Sequence, residues 1–203
     1  MINPMLIQWR GLTAAWSSDT NLSDQAFAEI ANHYTEPSRY YHNLEHVQSM
    51  LNTIESLSAS AFRPNEIKLA AWLHDVIYNS KAGDNEERSA EFAEKLCSRL
   101  SIPEGRKIAS LILKTKSHDA GDDGDAQILL DADLAILGTS SSQYQSYRDK
   151  IRREYAWVPD SEYRAARRTI LIQFVARPRI YHRFIDFETQ ARENITTEIM
   201  ELS

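Results

Sequence analysis

No stretch of this 203-residue chain alternates apolar and polar side chains with a period of two, so a half-buried β-strand has nowhere to form. The apolar residues recur instead at three- and four-residue spacings, as in Val47, Met50, Leu51 and Ile54, which make one stripe on a helix. Glycine and proline number only six each, and they fall between the periodic segments. Pro37 ends one pattern and Pro64 opens another, as proline does in a first turn; Pro103, the turn from Gly121 to Gly124, Gly138, Pro159 and Pro178 separate the rest. Helices are expected near 3–17, 22–35, 43–57, 65–79, 85–100, 104–116, 125–137, 141–156, 161–176 and 180–201, with Asp84 and Glu87 forming a capping box. The expected class is all-α.

A content of 42% hydrophobic and 26% charged residues belongs to a globular chain, and this length suits one domain. Cys97 stands alone and cannot form an internal disulfide; its helical neighbours Phe92, Ala93, Leu96 and Leu100 make it a small core residue. Absence of a disulfide framework fits a reducing compartment. Met1 to Ser17 lacks a signal-type apolar run, and no segment reaches the roughly 18–20 apolar residues of a membrane span, so a cytoplasmic, membrane-free protein is expected. A net charge of −6 argues against a general nucleic-acid-binding surface. Lys and Arg nevertheless outnumber Asp and Glu between Arg148 and Arg192, which reads as solvated helix faces or as a bias toward phosphorylated ligands.

Three polar groups interrupt apolar stripes. Ile67, Ala70, Ala71, His74, Ile77 and Tyr78 trace one helical face, which turns His74 inward with Asp75 beside it. Leu130, Leu134 and Leu137 form a stripe that contains Asp133. Asp131 lies about 200° away round the helix, so only one of the two carboxylates faces a given site. The stripe selects Asp133 and leaves Asp131 to support, cap or be solvated. His42 and His46, four residues apart, share a face at the start of the 43–57 helix. Each alone reads as a hydrogen-bonded core or incidental residue. Together they bring imidazole and carboxylate into the interior, where an unpaired charge is costly, and they offer donors for a divalent cation.

In this order and context, His46, His74-Asp75 and Asp133 resemble the metal site of the HD-domain phosphohydrolase superfamily. Tyr41-His42-Asn43-x-x-His46 is similar to the signature of cyclic-nucleotide phosphodiesterases, and Ala132-Asp133-Leu134 to the setting of the last HD-family aspartate. Arg39-Tyr40-Tyr41-His42, Asp84 to Ala90 and Leu130 to Leu134 resemble small bacterial HD phosphohydrolases. The resemblance implies a single-domain helical bundle of the HD type, its metal-site core at about 39–138 and a helical extension at about 141–203. It assigns His46, His74, Asp75 and Asp133 to one or two divalent metals (Mn, Mg, Co, Ni, Zn or Fe), with Asp75 catalytic as the bridging carboxylate. It makes His42 the acid for the leaving oxygen, a role that an imidazole titrating near neutrality suits. The implied activity is hydrolysis of a nucleotide or other small phosphate ester. A di-iron oxygenase and a nucleotide-binding regulatory module without turnover are the alternatives.

Other residues carry double readings. His118 is a solvated or capping residue, or a ligand to a second metal. Arg39 and Lys116, with Lys114, are candidates for the substrate phosphate, Arg39 equally for a surface salt bridge. Glu86 and Glu87 serve the next helix's N-terminus or contact a metal-associated water, while His33 and His182 read as structural.

Overall fold

In the computed structural model, which describes residues 3–17 and 19–203, the apolar stripes become ten α-helices, and no strand occurs among the described residues. They are α1 (Pro4–Thr13), α2 (Thr20–Tyr34), α3 (Leu44–Leu57), α4 (Pro64–Leu73), α5 (Asn85–Arg99), α6 (Gly105–Thr115), α7 (Gly124–Asp133), α8 (Ser141–Glu154), α9 (Asp160–Ala176) and α10 (Glu188–Glu201). Short polar side chains start several of them: Asn3, Asp19, Asn43 and Asp123 accept from first-turn amides that no helix carbonyl can reach. Ser140 and Gln143 form a capping box at α8. No helix is long and apolar enough to cross a membrane among the described residues.

Helices α1 to α7 enclose the main core. Trp72 of α4 is wholly buried, with Trp9 and Phe27 edge-on to it at 5.4 and 6.0 Å, and the Tyr34 hydroxyl donates to its carbonyl at 3.1 Å. Cys97 is buried in the same core, as its stripe requires. A second apolar cluster gathers Leu137, Tyr144, Leu171, Tyr181 and Ile195 from the end of α7 and from α8 to α10. A cavity of about 370 Å³ has Leu134, Leu137 and Leu171 of the second cluster on its wall, together with His74, Asp75, Tyr78 and Thr115.

Helix α1 stops at Thr13 rather than at the expected 17, and three further boundaries differ, each where side chains satisfy backbone groups that a longer helix would pair internally. The stripe predicts a helix over 65–79, but α4 stops at Leu73. Arg39 donates to the carbonyls of Asp75 at 2.6 Å and Val76 at 2.9 Å, and the Ser89 hydroxyl bonds both the N–H and the carbonyl of Ile77. The 125–137 helix tightens after Asp133 into a 3₁₀ turn, Leu134–Gly138, where the Tyr181 hydroxyl and the Asn194 amide take the Leu134 and Leu137 carbonyls. The last helix starts at Glu188 rather than 180, because Asp131 accepts the amides of His182, Arg183 and Phe184, and Glu188 those of Ile180 and Tyr181. The Asp84–Glu87 capping box does not form: Asp84 makes no side-chain cap bond, and Glu87 pairs with Lys116 instead.

Gly138 closes that 3₁₀ turn against the segment before α10. A Cβ there would stand 2.5 Å from the Phe187 Cβ and 2.8 Å from the Phe187 carbonyl oxygen, so backbone and not merely a flexible side chain would have to move. We expect Gly138→Ala to lower stability by about 1–3 kcal/mol, the usual size of overpacking. Urea unfolding monitored by circular dichroism checks this, and an unchanged midpoint would show that the turn yields freely.

Candidate metal centre

Three helix ends build the site. The Asn43 side chain accepts from the amides of Glu45 and His46, fixing the first turn of α3 and aiming His46 inward. His74 follows the last residue of α4, and Asp75 turns out of the helix just beyond it. Asp133 is the final residue of α7. Their side chains converge: His74 Nε2 lies 2.9 Å from Asp75 Oδ2 and 3.2 Å from His46 Nε2, and Asp133 Oδ1 lies 3.2 Å from His46 Nε2 and 3.7 Å from His74 Nε2. One atom each from His46, His74 and Asp75 falls within a mutual 4.8 Å, the spread of a single ion's ligands. Asp133 stands outside that triplet but touches both histidines.

Hydrogen bonding settles which atoms are free. His74 Nδ1 faces the Ala71 carbonyl at 3.0 Å, and a carbonyl only accepts, so Nδ1 carries a proton and the neutral ring turns its Nε2 lone pair to the cluster. Burial works to lower His74, yet the Asp75 and Asp133 carboxylates push it up to about 9. Burial keeps His46 below the ordinary imidazole value. Against the same burial, neighbouring imidazoles hold Asp75 and Asp133 below the usual carboxylate range. Two half-buried carboxylates facing two imidazoles therefore hold a proton on His74 where a cation also fits. The donors are nitrogen and oxygen only, a set for the divalent first-row metals or Mg²⁺.

His118 joins from the end of α6, its Nε2 3.2 Å from Asp133 Oδ2, so the carboxylate reaches histidines through both oxygens. Its backbone is left-handed, φ 49°, a conformation that costs a non-glycine residue about 1–2 kcal/mol. Arg177 pins it by donating to the carbonyls of Ser117 and His118.

Beside the cluster stands an arrangement that the sequence reading half missed. His42 Nδ1 lies 2.6 Å from Glu154 Oε2, while Glu154 Oε1 accepts the successive amides of Tyr40, Tyr41 and His42 at 2.7–3.0 Å. Burial would lower His42 and raise Glu154; their mutual bond and the surrounding charges reverse both, holding His42 above and Glu154 below their ordinary values. With Nδ1 donating to Glu154, His42 presents Nε2 to the cavity. Tyr78 stacks on its ring at 4.1 Å and donates to the same carboxylate at 3.2 Å. The signal for Glu154 was present, since Tyr144, Tyr147, Ile151 and Glu154 share one face of α8 and place a carboxylate in an apolar stripe.

Two expected phosphate contacts are corrected. Arg39 is buried, not at the surface and not among the residues lining the cavity: its guanidinium donates to the carbonyls of His42, Asp75 and Val76 and to the Glu36 carboxylate, which engage most of its N–H groups. Lys114 turns to the Ala120 carbonyl. Lys116 lies on the cavity rim, with its ammonium on the Gly83 carbonyl at 2.8 Å and the Glu87 carboxylate at 2.5 Å. Glu86 lines the cavity and Glu87 does not. Asp131 is a buried cap for the chain before α10. His33 pairs with Glu36, and His182 is exposed, held only through its backbone amide.

A proton and a metal compete for His74 Nε2. That nitrogen is protonated below about pH 9, so Mn²⁺ affinity should rise by about tenfold per pH unit from neutrality upward, with about one proton released per ion. Calorimetry in buffers of different ionisation enthalpy measures both, and a pH-independent affinity would remove His74 from the ligands. His118→Asn should keep or slightly raise stability, by up to about 1 kcal/mol, since Asn tolerates the left-handed backbone, while ion content or affinity falls. Denaturant midpoints with metal analysis test this; lost stability at full ion content would make His118 structural. Comparison of the chain with protein-family models, curated proteins and solved structures finds no match, so what this centre does is read from its own atoms.

Proposed function

We propose that the chain is a metal-dependent phosphohydrolase of the HD-domain superfamily, acting on a nucleotide or another small phosphate ester. The observation that carries this reading is the placement of the His42–Glu154 pair beside the His46, His74, Asp75 and Asp133 cluster, with 6.1 Å between the rings of His42 and His46. A ligand set without a proton donor would suit storage or structural binding of an ion. A ligand set with a donor poised over the same cavity suits bond cleavage.

His46, His74, Asp75 and Asp133 would hold the ion, and His118 would complete a second position with the far oxygen of Asp133. A divalent cation bound there supplies Lewis acidity, polarising a phosphoryl oxygen and acidifying water. Asp75 lines the cavity and orients the attacking water. As the water oxygen forms the new P–O bond it would lose a proton to solvent, the old bond would break, and the proton on His42 Nε2 would pass to the departing oxygen. Glu154 keeps His42 protonated to higher pH and stops the ring rotating, with Tyr78 stacked on its other side. The cavity of about 370 Å³ admits a small ester, and Leu171 and Phe174 of α9 give it an apolar wall opposite the ligands.

The test is a leaving-group series measured on wild type, His42→Ala and Glu154→Gln, with ion content determined for each. His42→Ala should retain its ion and lose about 10²–10⁴-fold on alkyl or ribose esters, but far less on a nitrophenyl ester, whose leaving group hardly needs protonation. Glu154 raises the His42 pKa, and an acid works only while protonated, so Glu154→Gln should move the alkaline limb of the rate profile to lower pH. Equal losses across the series reject the acid role, and the absence of metal-dependent phosphate release from every ester rejects the phosphohydrolase.

A further inference from the structure

A second groove of about 720 Å³ opens on the far side of the segment that carries Tyr78. Tyr78 is its wall toward the metal cavity and lines both spaces. The ionisable residues around it are unevenly matched. Glu154 has no exposed side-chain surface and gives its oxygens to amides, His42 and Tyr78, while Glu36 is engaged by Arg39 and His33. Lys81, Arg88 and Arg153 line the groove from the loop after α4, from α5 and from α8, and none has a carboxylate within 4.0 Å among the described residues. They are exposed. On a chain of net charge −6, three cations from separate segments line one groove, and of the two carboxylates that share it Glu154 is buried and Glu36 is taken by Arg39 and His33.

Aromatic rings hold two of these cations without using their hydrogen-bond donors. The Arg153 guanidinium lies 3.9 Å from the Tyr40 ring centre, and the Lys81 ammonium 5.5 Å from that of Trp157. Trp157 is 51% exposed, yet its orientation is fixed: its Nε1 donates to Ser80 Oγ at 2.9 Å, and that hydroxyl donates to the Glu154 carbonyl. An exposed indole locked in place by its polar edge, with Lys81 over its ring and the Tyr155 ring tilted at 6.5 Å, takes a planar ring once the exposed Lys81 side chain swings from it to a phosphate, and free lysine and arginine donors offer charge-assisted bonds to phosphate oxygens.

We propose that this groove is a binding site for a free nucleotide bearing two or more phosphates, its base stacked on Trp157 and its phosphates held by Lys81, Arg88 and Arg153. Ring and phosphates are both required, because neither the one indole nor three solvent-exposed cations would hold a ligand alone. Three cations around one groove match one polyphosphate chain, whereas a strand of nucleic acid would need cations continuing beyond it. The site stands independently of the hydrolase reading, since no residue assigned to the reaction or to the ion supplies a contact.

Calorimetry on the full chain tests it with a non-hydrolysable ATP analogue, adenosine, tripolyphosphate and a single-stranded oligothymidylate. The analogue should bind one-to-one at the groove, with adenosine and tripolyphosphate each weaker by about tenfold or more. Trp157→Ala and Arg88→Ala, both at exposed positions that leave the core intact, should each weaken the analogue by about tenfold, and Trp157→Ala should leave tripolyphosphate unaffected. Added salt should weaken the analogue and not adenosine. Analogue binding that both variants leave unchanged places it in the metal cavity and overturns the site. So does no binding at low salt. Oligothymidylate binding more tightly than the analogue would make the groove a nucleic-acid track, and would overturn it as a site for a free nucleotide.

Discussion

The buried guanidinium of Arg39 joins the two stretches of chain on which everything else at the centre depends. It donates to the carbonyls of His42, Asp75 and Val76, and so ties the segment before α3 to the end of α4. Carbonyls released from a helix in an interior need donors, and a planar group with five N–H bonds can serve several at once. Because it does, α4 ends at Leu73 although its apolar pattern runs on, and Asp75 is released from the helix to reach the Nε2 of its own neighbour His74. A lysine, with one nitrogen on a flexible stem, could not bridge the same three oxygens. Arg39 also lies over the rings of Tyr34 and Tyr78, so the contact that ends the helix also packs against the tyrosine that stacks on His42.

Two buried polar networks in this chain contrast usefully. In the C-terminal half, Glu198 is answered completely: Tyr144 donates to it at 2.5 Å, Arg167 at 3.0 and 3.2 Å, and Arg148 stands 3.5 Å away. Nothing there has an unused lone pair turned to open space, and the network closes on itself as structural ionic clusters do. Around Asp75 and Asp133, the partners are imidazoles whose nitrogens crowd one another, His46 Nε2 against His74 Nε2, each facing the same carboxylate. One proton, on His74 Nε2 beside Asp75, serves that geometry and leaves the His46 Nε2 lone pair free, since two ring nitrogens 3.2 Å apart cannot both carry one comfortably. One set of charges closes on itself, and the other leaves donor atoms within reach of a single cation.

What could be read from the sequence follows from how each residue interrupts a pattern. His46, Asp133 and His74 stand inside apolar stripes, and a polar residue in a stripe is visible without any structure; all three come together here. The all-helical class was visible for the same reason, since nothing in the chain alternates with period two. Glu154 obeys the same rule in α8, and went unread because no second polar residue nearby drew attention to it. Arg39 was not legible at all: an arginine beside a helix end looks like a surface residue, and its burial comes from packing between segments 36 positions apart. The helical pattern runs past the end of α4 because Ile77 and Tyr78 keep helical spacing while lying in irregular chain, Ile77 packing on the main core and Tyr78 walling the cavity. Asp84 and Glu87 match a capping box letter for letter, but Lys116 offers Glu87 a charge, which a backbone amide cannot rival.

Glu154 is the last residue of α8, and through it three amides 112 to 114 residues earlier in the chain are held together. Helix ends open at a small fraction of the free energy of global unfolding. When the final turn of α8 loosens, the Tyr40–His42 segment loses its shared acceptor and His42 loses its charge partner. His46, His74 and Asp133 remain, because α3, α4 and α7 belong to the other core. Under the proposed function, loosening of this one helix end would cost proton delivery before the ligand cluster itself comes apart, because the two rest on different packing.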